Sequence, residues 1–398
     1  MDRPTEQDPT VWLDDSSMDL SQLEALCEQQ TDPASVPLAS DIVSQIPVYD
    51  GAAIREAAAD EAAATPQVLA LQAEWARTLG QGAGVVLVRN AVADLNMLDR
   101  VTAVFETLID AERASGSGAD HFAPRGTNTR LWNAHEKLCL QSPELFARYN
   151  ANDVLALMCR AWLGPGYQIT TQGNIVHPGG QAQHCHRDYH MGFQQAEQLR
   201  QYPAHVHAMS PLLTLQGAIA HSDMPLESGP TKVLPFSQQY LPGYLAAERE
   251  ECIALFEQRH VQLALHKGDM LFFNPAVFHA AGENRTTDVD RFANLVQAGS
   301  MYGRTMELQD KARMSVALYP VLHQLISSHG WLPRQTRQVI EACGEAYPFP
   351  ANMELEPPVN GLAPLSQQQL MAQCLEEGCT SDVFARRIGS QLQLKRSH

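Results

Sequence analysis

The sequence predicts an α+β fold: a double-stranded β-helix, or jelly roll, flanked by helices, with helical extensions at both ends. Three observations predict it. Short strand-like runs punctuated by Gly and Pro fill the middle of the chain, from Gly84 to Gln297, as in a double-sheet roll. Helical periodicity brackets those runs, ahead of Gly84 and beyond Gly303, so helices would pack on the sheets. With 398 residues and 44% hydrophobic content, the chain has ample material for one large core. The organisation expected is an acidic extension over 1–64, the jelly-roll domain over 65–310 and a helical extension over 311–398.

Residues 1–64 hold fourteen Asp and Glu against two Arg, so net −12 of the chain's −17 lies there. This stretch reads as a solvated or partly disordered extension, or a partner-docking arm, with one helix from Leu20 capped by Asp19 or Ser21. The core begins at Thr65-Pro66, an N-cap followed by Pro at the first helical position. Val68, Leu71, Trp75 and Leu79 then share one face. Gly84 to Val88 reads as a strand, and Asp94 caps a helix whose buried stripe is Leu98, Val101, Phe105 and Leu108. Residues 121–140 read as an irregular loop able to cover a pocket. Ser142-Pro143 and Asn152-Asp153 start two helices, the second ending at Gly164. Strands follow at Tyr167 to His177, Leu212 to His221, Thr231 to Leu234 and His260 to Leu265, with a polar helical insert from Gln194 to Tyr202. Beyond Gly303 a helix carries Ala312, Val316 and Tyr319 until Pro320 interrupts it. A Pro-rich connector, 348–364, leads to a final helix capped by Ser366.

The acidic balance argues against nucleic acid or an anionic membrane as partner. Eight cysteines are scattered with no Cys-x-x-Cys pair, which points to a reducing cytoplasm rather than a disulfide framework. No basic-then-apolar leader and no membrane-length apolar run is visible. The composition leaves the oligomeric state open.

The chemistry centres on Gln183-His184-Cys185-His186-Arg187-Asp188-Tyr189-His190. His186 and Asp188 stand two apart, so on an extended segment they share a face. That is two-thirds of a 2-His-1-carboxylate facial triad, the set that holds non-haem Fe(II) with positions left for oxygen chemistry. Alone, such a triplet is an ordinary polar strand edge. Support comes from the run Gly268-Asp269 through His279, which offers a second imidazole 93 residues later. Arg291, at the head of an alternating run to Gln297, would bring a guanidinium to a neighbouring strand. Its planar fork suits a carboxylate such as the distal one of 2-oxoglutarate, although a single arginine is usually an ordinary ion-paired one.

These residues resemble the phytanoyl-CoA dioxygenase-like Fe(II)/2-oxoglutarate oxygenases. The likeness rests on His186-x-Asp188, Glu227-Ser228-Gly229-Pro230-Thr231 followed by Leu234-Pro235-Phe236-Ser237, Gly268-Asp269, His279 with Asn284, and Arg291. The chain departs from the family pattern at Ser228, at Phe236 and Gln238 where Gly and His are usual, and at Ala281 where a small hydroxyl residue is common. The resemblance implies a cupin-like roll holding Fe(II) by His186, Asp188 and His279. It also implies binding of 2-oxoglutarate by Arg291 with a contribution from Asn284, and use of O2 to oxidise a C–H bond of a small metabolite, with release of succinate and CO2. The carboxylate at Asp188 favours hydroxylation or a related oxidation over halogenation. Tyr189, His190 and Arg285 are candidate substrate contacts, each also readable as a structural neighbour.

Two rivals stay open at this stage. One is a metal cupin without 2-oxoglutarate, using His184, His186 and His279; the other is a non-catalytic jelly-roll scaffold. A three-histidine zinc hydrolase fits less well, since no general base stands beside such a site. The core lacks a Lys/Arg cluster suited to the phosphates of coenzyme A, which favours a small free metabolite.

Overall fold

A computed structural model describes residues 8, 11–59, 65–116, 127–328, 330–347 and 349–397. Ten strands order the chain: β1 (Asp41–Val43), β2 (Ile46–Asp50), β3 (Val85–Arg89), β4 (Asn128–Leu131), β5 (Gln168–Val176), β6 (Thr214–Ala220), β7 (Lys232–Val233), β8 (Met270–Phe273), β9 (His279–Ala280) and β10 (Arg291–Gly299). Eight form one sheet in the order β1-β2-β3-β8-β6-β10-β5-β4. All its pairings are antiparallel except β2 with β3. The second layer is small: β7 pairs with β9, and single bridges extend it from His279 to His186 and from Val233 to Val261. The two layers make the expected jelly roll.

Alternation along the strands divides the large sheet into two faces. Ile169, Ile175, Leu215, Ile219, Phe272, Phe292 and Val296 point outward, into a core shared with helices Pro66–Gly80, Leu95–Ala114, Pro143–Asn150 and Asp153–Leu163. Val85, Leu87, Ala218, Leu271, Phe273 and Ala293 point inward against Val233 and Leu263 of the second layer. The helices form as read: Thr65 caps Pro66–Gly80, Asp94 caps Leu95–Ala114 and Asn152 caps Asp153–Leu163. Leu98, Val101 and Phe105 are buried, while Leu108 is half-buried at the stripe's edge.

Several expectations need correction. The acidic segment is neither a solvated surface nor a separate tail over its described part. β1 and β2 join the large sheet, with Ile46 and Val48 buried inside the roll. Their two-residue turn, Ser44-Gln45, has both residues at positive φ. Such a hairpin normally advertises itself by Asn-Gly or Asp-Gly, so its sequence signal was missing. Helix Leu20–Cys27, capped by Asp19, buries Leu23 against Leu255 and Phe256 of helix Glu250–Arg259. Ahead of it, Trp12 bridges Pro203, Asp15 pairs with Arg200 at 2.7 Å, and Leu13 packs on Met191 and Leu199.

The supposed covering loop is, where described, β4 and helix Ala134–Gln141; its residues 121–126 lie outside the described residues. His260 to Leu265 is not a strand but makes two single bridges, Val261 to Val233 and Leu265 to Met224. The apolar run from Gly268 does not reach His279 as one strand: it breaks after Phe273 at Asn274-Pro275, and β9 continues in the other layer. Pro320 sits inside helix Lys311–Ile326 without ending it. Pro320 and Val316 both lie on the exposed side, so the carbonyl that loses a proline N–H partner lies on the solvent side of the helix and not in the core. Two helices, Gln367–Glu376 and Ser381–Leu394, follow the connector, and Met371 and Phe384 join the helical core. Among the described residues, no helix is long and apolar enough to cross a membrane.

Candidate metal centre

The metal-binding signature is built by the pairing of two remote extended segments. His186 and His279 exchange both backbone hydrogen bonds, at 3.0 and 3.1 Å, and Asp188 N donates to Pro275 O at 3.2 Å. This ladder turns His186 and Asp188 to one side, as the spacing of two requires. The Nε2 atoms of His186 and His279 lie 3.7 and 3.5 Å from the Asp188 carboxylate oxygens. The three ligand atoms fall within 4.8 Å of one another, the one such cluster among the described residues.

Each imidazole is oriented from behind. His186 Nδ1 donates to the His184 carbonyl at 2.8 Å and His279 Nδ1 to the Val277 carbonyl at 2.9 Å. A carbonyl offers no hydrogen, so Nδ1 carries the proton and Nε2 presents its lone pair to a cation. Burial, and then the neighbouring His279, lower the His186 pKa against the pull of Asp188; the neutral, ligating form is favoured. Burial raises the Asp188 pKa, but the neighbouring His279 and His186 rings and the hydrogen bond from the Gln216 amide more than offset this. The carboxyl is held well below the usual range. Gln216 Nε2 donates to Asp188 Oδ2.

The triad opens into a cavity of about 740 Å³ that is also lined by Arg291. Arg291 is 6% exposed, and its Nη1 donates to the carbonyls of Ser228 at 2.8 Å and Gly282 at 3.2 Å. Burial lowers its pKa to about 10, which leaves it charged at neutral pH. No carboxylate of the described residues pairs with it. A buried cation without a counter-ion, in the same cavity as a two-imidazole, one-carboxylate set, fits Fe(II) with a dicarboxylate cofactor. The Ser228-Gly229-Pro230 turn that holds Arg291 needs its glycine: Gly229 has φ +69, and a Cβ there would strike the backbone of Gly282 and Glu283.

The other sequence-derived candidates fall away from the cavity. Asn284 is fully buried, and its side chain serves the chain itself. Its Nδ2 donates to the carbonyls of Val176 and Val289, and its Oδ1 accepts from Thr286. It holds the turn ahead of β10 and has no polar atom to offer a cofactor. Arg285 is exposed and outside the cavity lining, because the turn that follows His279 carries it to the surface. His190 is exposed, turned outward by the left-handed backbone at Tyr189 and His190. Tyr189 is buried behind the wall and donates to Gln297 Oε1.

Sequence reasoning missed the polar inner wall, formed by Arg130 on β4, Gln172 and Asn174 on β5, Gln216 on β6 and Gln297 on β10. The available signal was a carboxamide inside a buried strand, as at Gln216 between Leu215 and Gly217. His184 lines the cavity, but its imidazole is not in the metal cluster, where Asp188 stands instead.

The profile of the family described as phytanoyl-CoA dioxygenase (PhyH) matches residues 80–293, which takes in the triad and Arg291. The chain belongs to the phytanoyl-CoA dioxygenase family. It is accordingly an enzyme of the Fe(II)/2-oxoglutarate oxygenase class, with O2 as co-substrate. The family's usual glycine is replaced here by Phe236, which nonetheless keeps a left-handed φ of +68; Gln238, in place of the usual histidine, donates to the Gly82 carbonyl at 2.8 Å. No curated protein matches the chain. Among solved structures, similarity is found to the α-ketoglutarate-dependent epimerase SnoN of nogalamycin biosynthesis, with TM-score 0.39 and 16% identity over 60% of this chain and 84% of that one. SnoN in complex with Fe3+, α-ketoglutarate and nogalamycin RO gives 0.41 and 17%, over 60% and 85%. The carbocyclase SnoK gives 0.41 and 17%, over 57% and 83%. At these TM-scores the likeness adds nothing to the fold described above.

Proposed function

We propose that the chain hydroxylates, or otherwise oxidises at C–H, a small-molecule metabolite, with His186, Asp188 and His279 as the Fe(II) ligands and Arg291 as the partner of the distal 2-oxoglutarate carboxylate. The observation that carries this reading is the meeting, in one cavity, of the three ligand atoms within 4.8 Å and a buried arginine facing no carboxylate among the described residues. When bound, iron and 2-oxoglutarate supply the oxidising chemistry, with O2 consumed and succinate and CO2 released. The protein's part is positional. The two Nδ1–H···O=C bonds aim the imidazoles, and Gln216 fixes the carboxylate. We assign the oxidising unit to the roll together with β1 and β2, with the helices beyond 311 as its buttress. The eight unpaired cysteines favour a cytoplasmic setting.

The test is anaerobic. Metal-free protein is mixed with Fe(II), 2-oxoglutarate is added, and the visible charge-transfer band of the chelate is recorded. The band should vanish in His279→Ala and should require more 2-oxoglutarate in Arg291→Ala. Tight iron binding with no band would overturn the cofactor assignment in favour of a cupin-type metal enzyme.

A further inference from the structure

Helix Gln367–Glu376 ends in a cap that brings two cysteines together. Gly378 has φ +66, its N–H donates to the Leu375 carbonyl at 3.2 Å, and the Cys379 N–H donates to the Cys374 carbonyl at 2.9 Å. These two bonds make a Schellman cap, in which the third-last helical side chain packs on the second one beyond the capping residue. Here those positions are Cys374 and Cys379, and both sulfurs touch one ion pair. Arg387 Nη1 donates to Cys374 Sγ at 3.4 Å and to Glu377 Oε2 at 2.6 Å, and Cys379 Sγ donates to the same Glu377 oxygen at 3.5 Å. The Tyr319 hydroxyl bonds both cysteine carbonyls, at 2.9 and 2.8 Å, which fixes the two backbones. Partial burial, the Glu377 hydrogen bond and the nearby Cys374 sulfur raise the Cys379 pKa. Access to the pair is unequal. Six of the eight cysteines are buried, Cys374 among them with no exposed surface, whereas Cys27 and Cys379 are half-buried. Cys374, Cys379 and Arg387 lie outside the lining of the metal cavity.

We propose that Cys374 and Cys379 are a reversible dithiol, closed to an intramolecular disulfide by a small disulfide such as oxidised glutathione. The Cys379 thiolate, the one that solvent reaches, attacks one sulfur of the small disulfide, whose S–S bond breaks and releases one thiolate. The Cys374 thiolate then attacks the Cys379 sulfur of the mixed disulfide, forming the protein S–S bond and releasing the second thiolate. Two protein thiols are oxidised and one small disulfide is reduced to two thiols. The two protons lost by the cysteines end on the two leaving thiolates. The Arg387 guanidinium, already against Cys374 Sγ, meets the negative charge on that sulfur in the second step. The bond pins the end of helix Gln367–Glu376 beside Thr380, which caps helix Ser381–Leu394.

The experiment equilibrates the full chain under nitrogen with graded oxidised glutathione at fixed reduced glutathione, quenches with acid, and locates thiols and disulfides by peptide mass mapping. A Cys374–Cys379 disulfide should form without a lasting glutathione adduct on Cys379, and dithiothreitol should reverse it. In the urea-unfolded chain, closure should need about tenfold or more oxidised glutathione, because the cap no longer concentrates one thiol against the other. Cys374→Ser should stop at the glutathione adduct on Cys379. Cys379→Ser should leave Cys374 unmodified, since solvent does not reach it. The comparison of folded and unfolded wild-type chain stands even if a variant misfolds. A stable adduct on Cys379 of the wild-type chain, no oxidation of the pair at any glutathione level, or equal closure in folded and unfolded chain overturns the proposal. So does folded Cys379→Ser with glutathione on Cys374, or folded Cys374→Ser without the adduct on Cys379.

Discussion

Gln216, in the middle of β6, donates its amide hydrogen to Asp188 Oδ2, the same oxygen that faces His279 Nε2. The strand therefore sets the rotation of the carboxylate before any metal arrives. Gln216→Leu should weaken Fe(II) binding by about 10–100-fold, the usual effect of losing a residue that orients a ligand. Gln216→Glu places two carboxylates together and should weaken it further. Anaerobic Fe(II) titration followed by calorimetry reads both, and unchanged affinity in Gln216→Leu would remove the orienting role.

Asn284 and Arg285 are adjacent yet should behave as opposites. Asn284→Ala deletes four side-chain hydrogen bonds at a buried turn. It should cost about 2–4 kcal/mol of stability, at about 1 kcal/mol per bond. In the protein that remains folded, 2-oxoglutarate affinity should be close to normal. Arg285→Ala should change neither stability nor affinity, since the side chain is exposed. Thermal melts with 2-oxoglutarate titrations of both variants check this pair.

Acid should destabilise the fold through two histidines remote from the metal. Burial, helped by Lys267, lowers the His221 pKa to about 3; burial, helped by Lys311, lowers that of His135 to about 4. Tyr149 and Thr102 bond the two His221 nitrogens at 3.0 and 2.8 Å, and the Ala342 carbonyl accepts from His135 at 2.8 Å. Both are neutral when folded and protonate below pH ~6.5 when unfolded. The unfolded state thus binds more protons, and stability present above pH ~6.5 is lost as pH falls. Each histidine contributes about 1.4 kcal/mol per pH unit down to its folded pKa. Urea melts between pH 7 and 5 should show the slope, and replacing His221 by Gln should flatten it.

Gly243 lies against the Arg187 guanidinium, with no room for a Cβ. Arg187 bridges the metal motif to the Ser237 and Tyr240 carbonyls and stacks on Phe278 and Tyr244. Gly243→Ala should displace Arg187, lower the melting temperature and weaken iron binding together. A variant that melts normally and binds iron normally would show that the contact is not needed.

The acidic arm should act on the segment it clamps. Residues 11–18 hold 190–204 through Leu13, the Trp12–Pro203 bridge and the Asp15–Arg200 pair. Removing residues 1–18 should expose the chain near Gln194 to limited proteolysis while Fe(II) affinity is retained. Equal protection in the two forms would sink the clamp.

Where local chemistry determines the outcome, the sequence was legible. Thr65, Asp94 and Asn152 cap helices with their own side chains, and His186 and Asp188 share a face because extended backbone alternates. Arg291 could be placed because its strand alternates as well. What escaped depends on partners distant in sequence. Ser44-Gln45 turns a hairpin without a turn residue's signature, and β2 is held in the sheet by β3. Asn284 and Arg285 sit one residue apart, and only the tertiary turn decides that one faces inward and the other outward. The carboxamide wall assembles from β5, β6 and β10, so no single segment displays it.

The sheet order also bears on how the protein reaches its native state. β3 is paired with β8, β8 with β6, and β6 with β10, so each interior neighbour must be found across a long loop of unformed chain. Such non-local topologies fold slowly, and His186 and His279 meet only when the second layer closes on the first. Metal affinity is therefore a late-appearing property. In a refolding experiment, recovery of the iron–2-oxoglutarate band should lag behind recovery of helical signal, and chelation should leave the early helical phase unaltered.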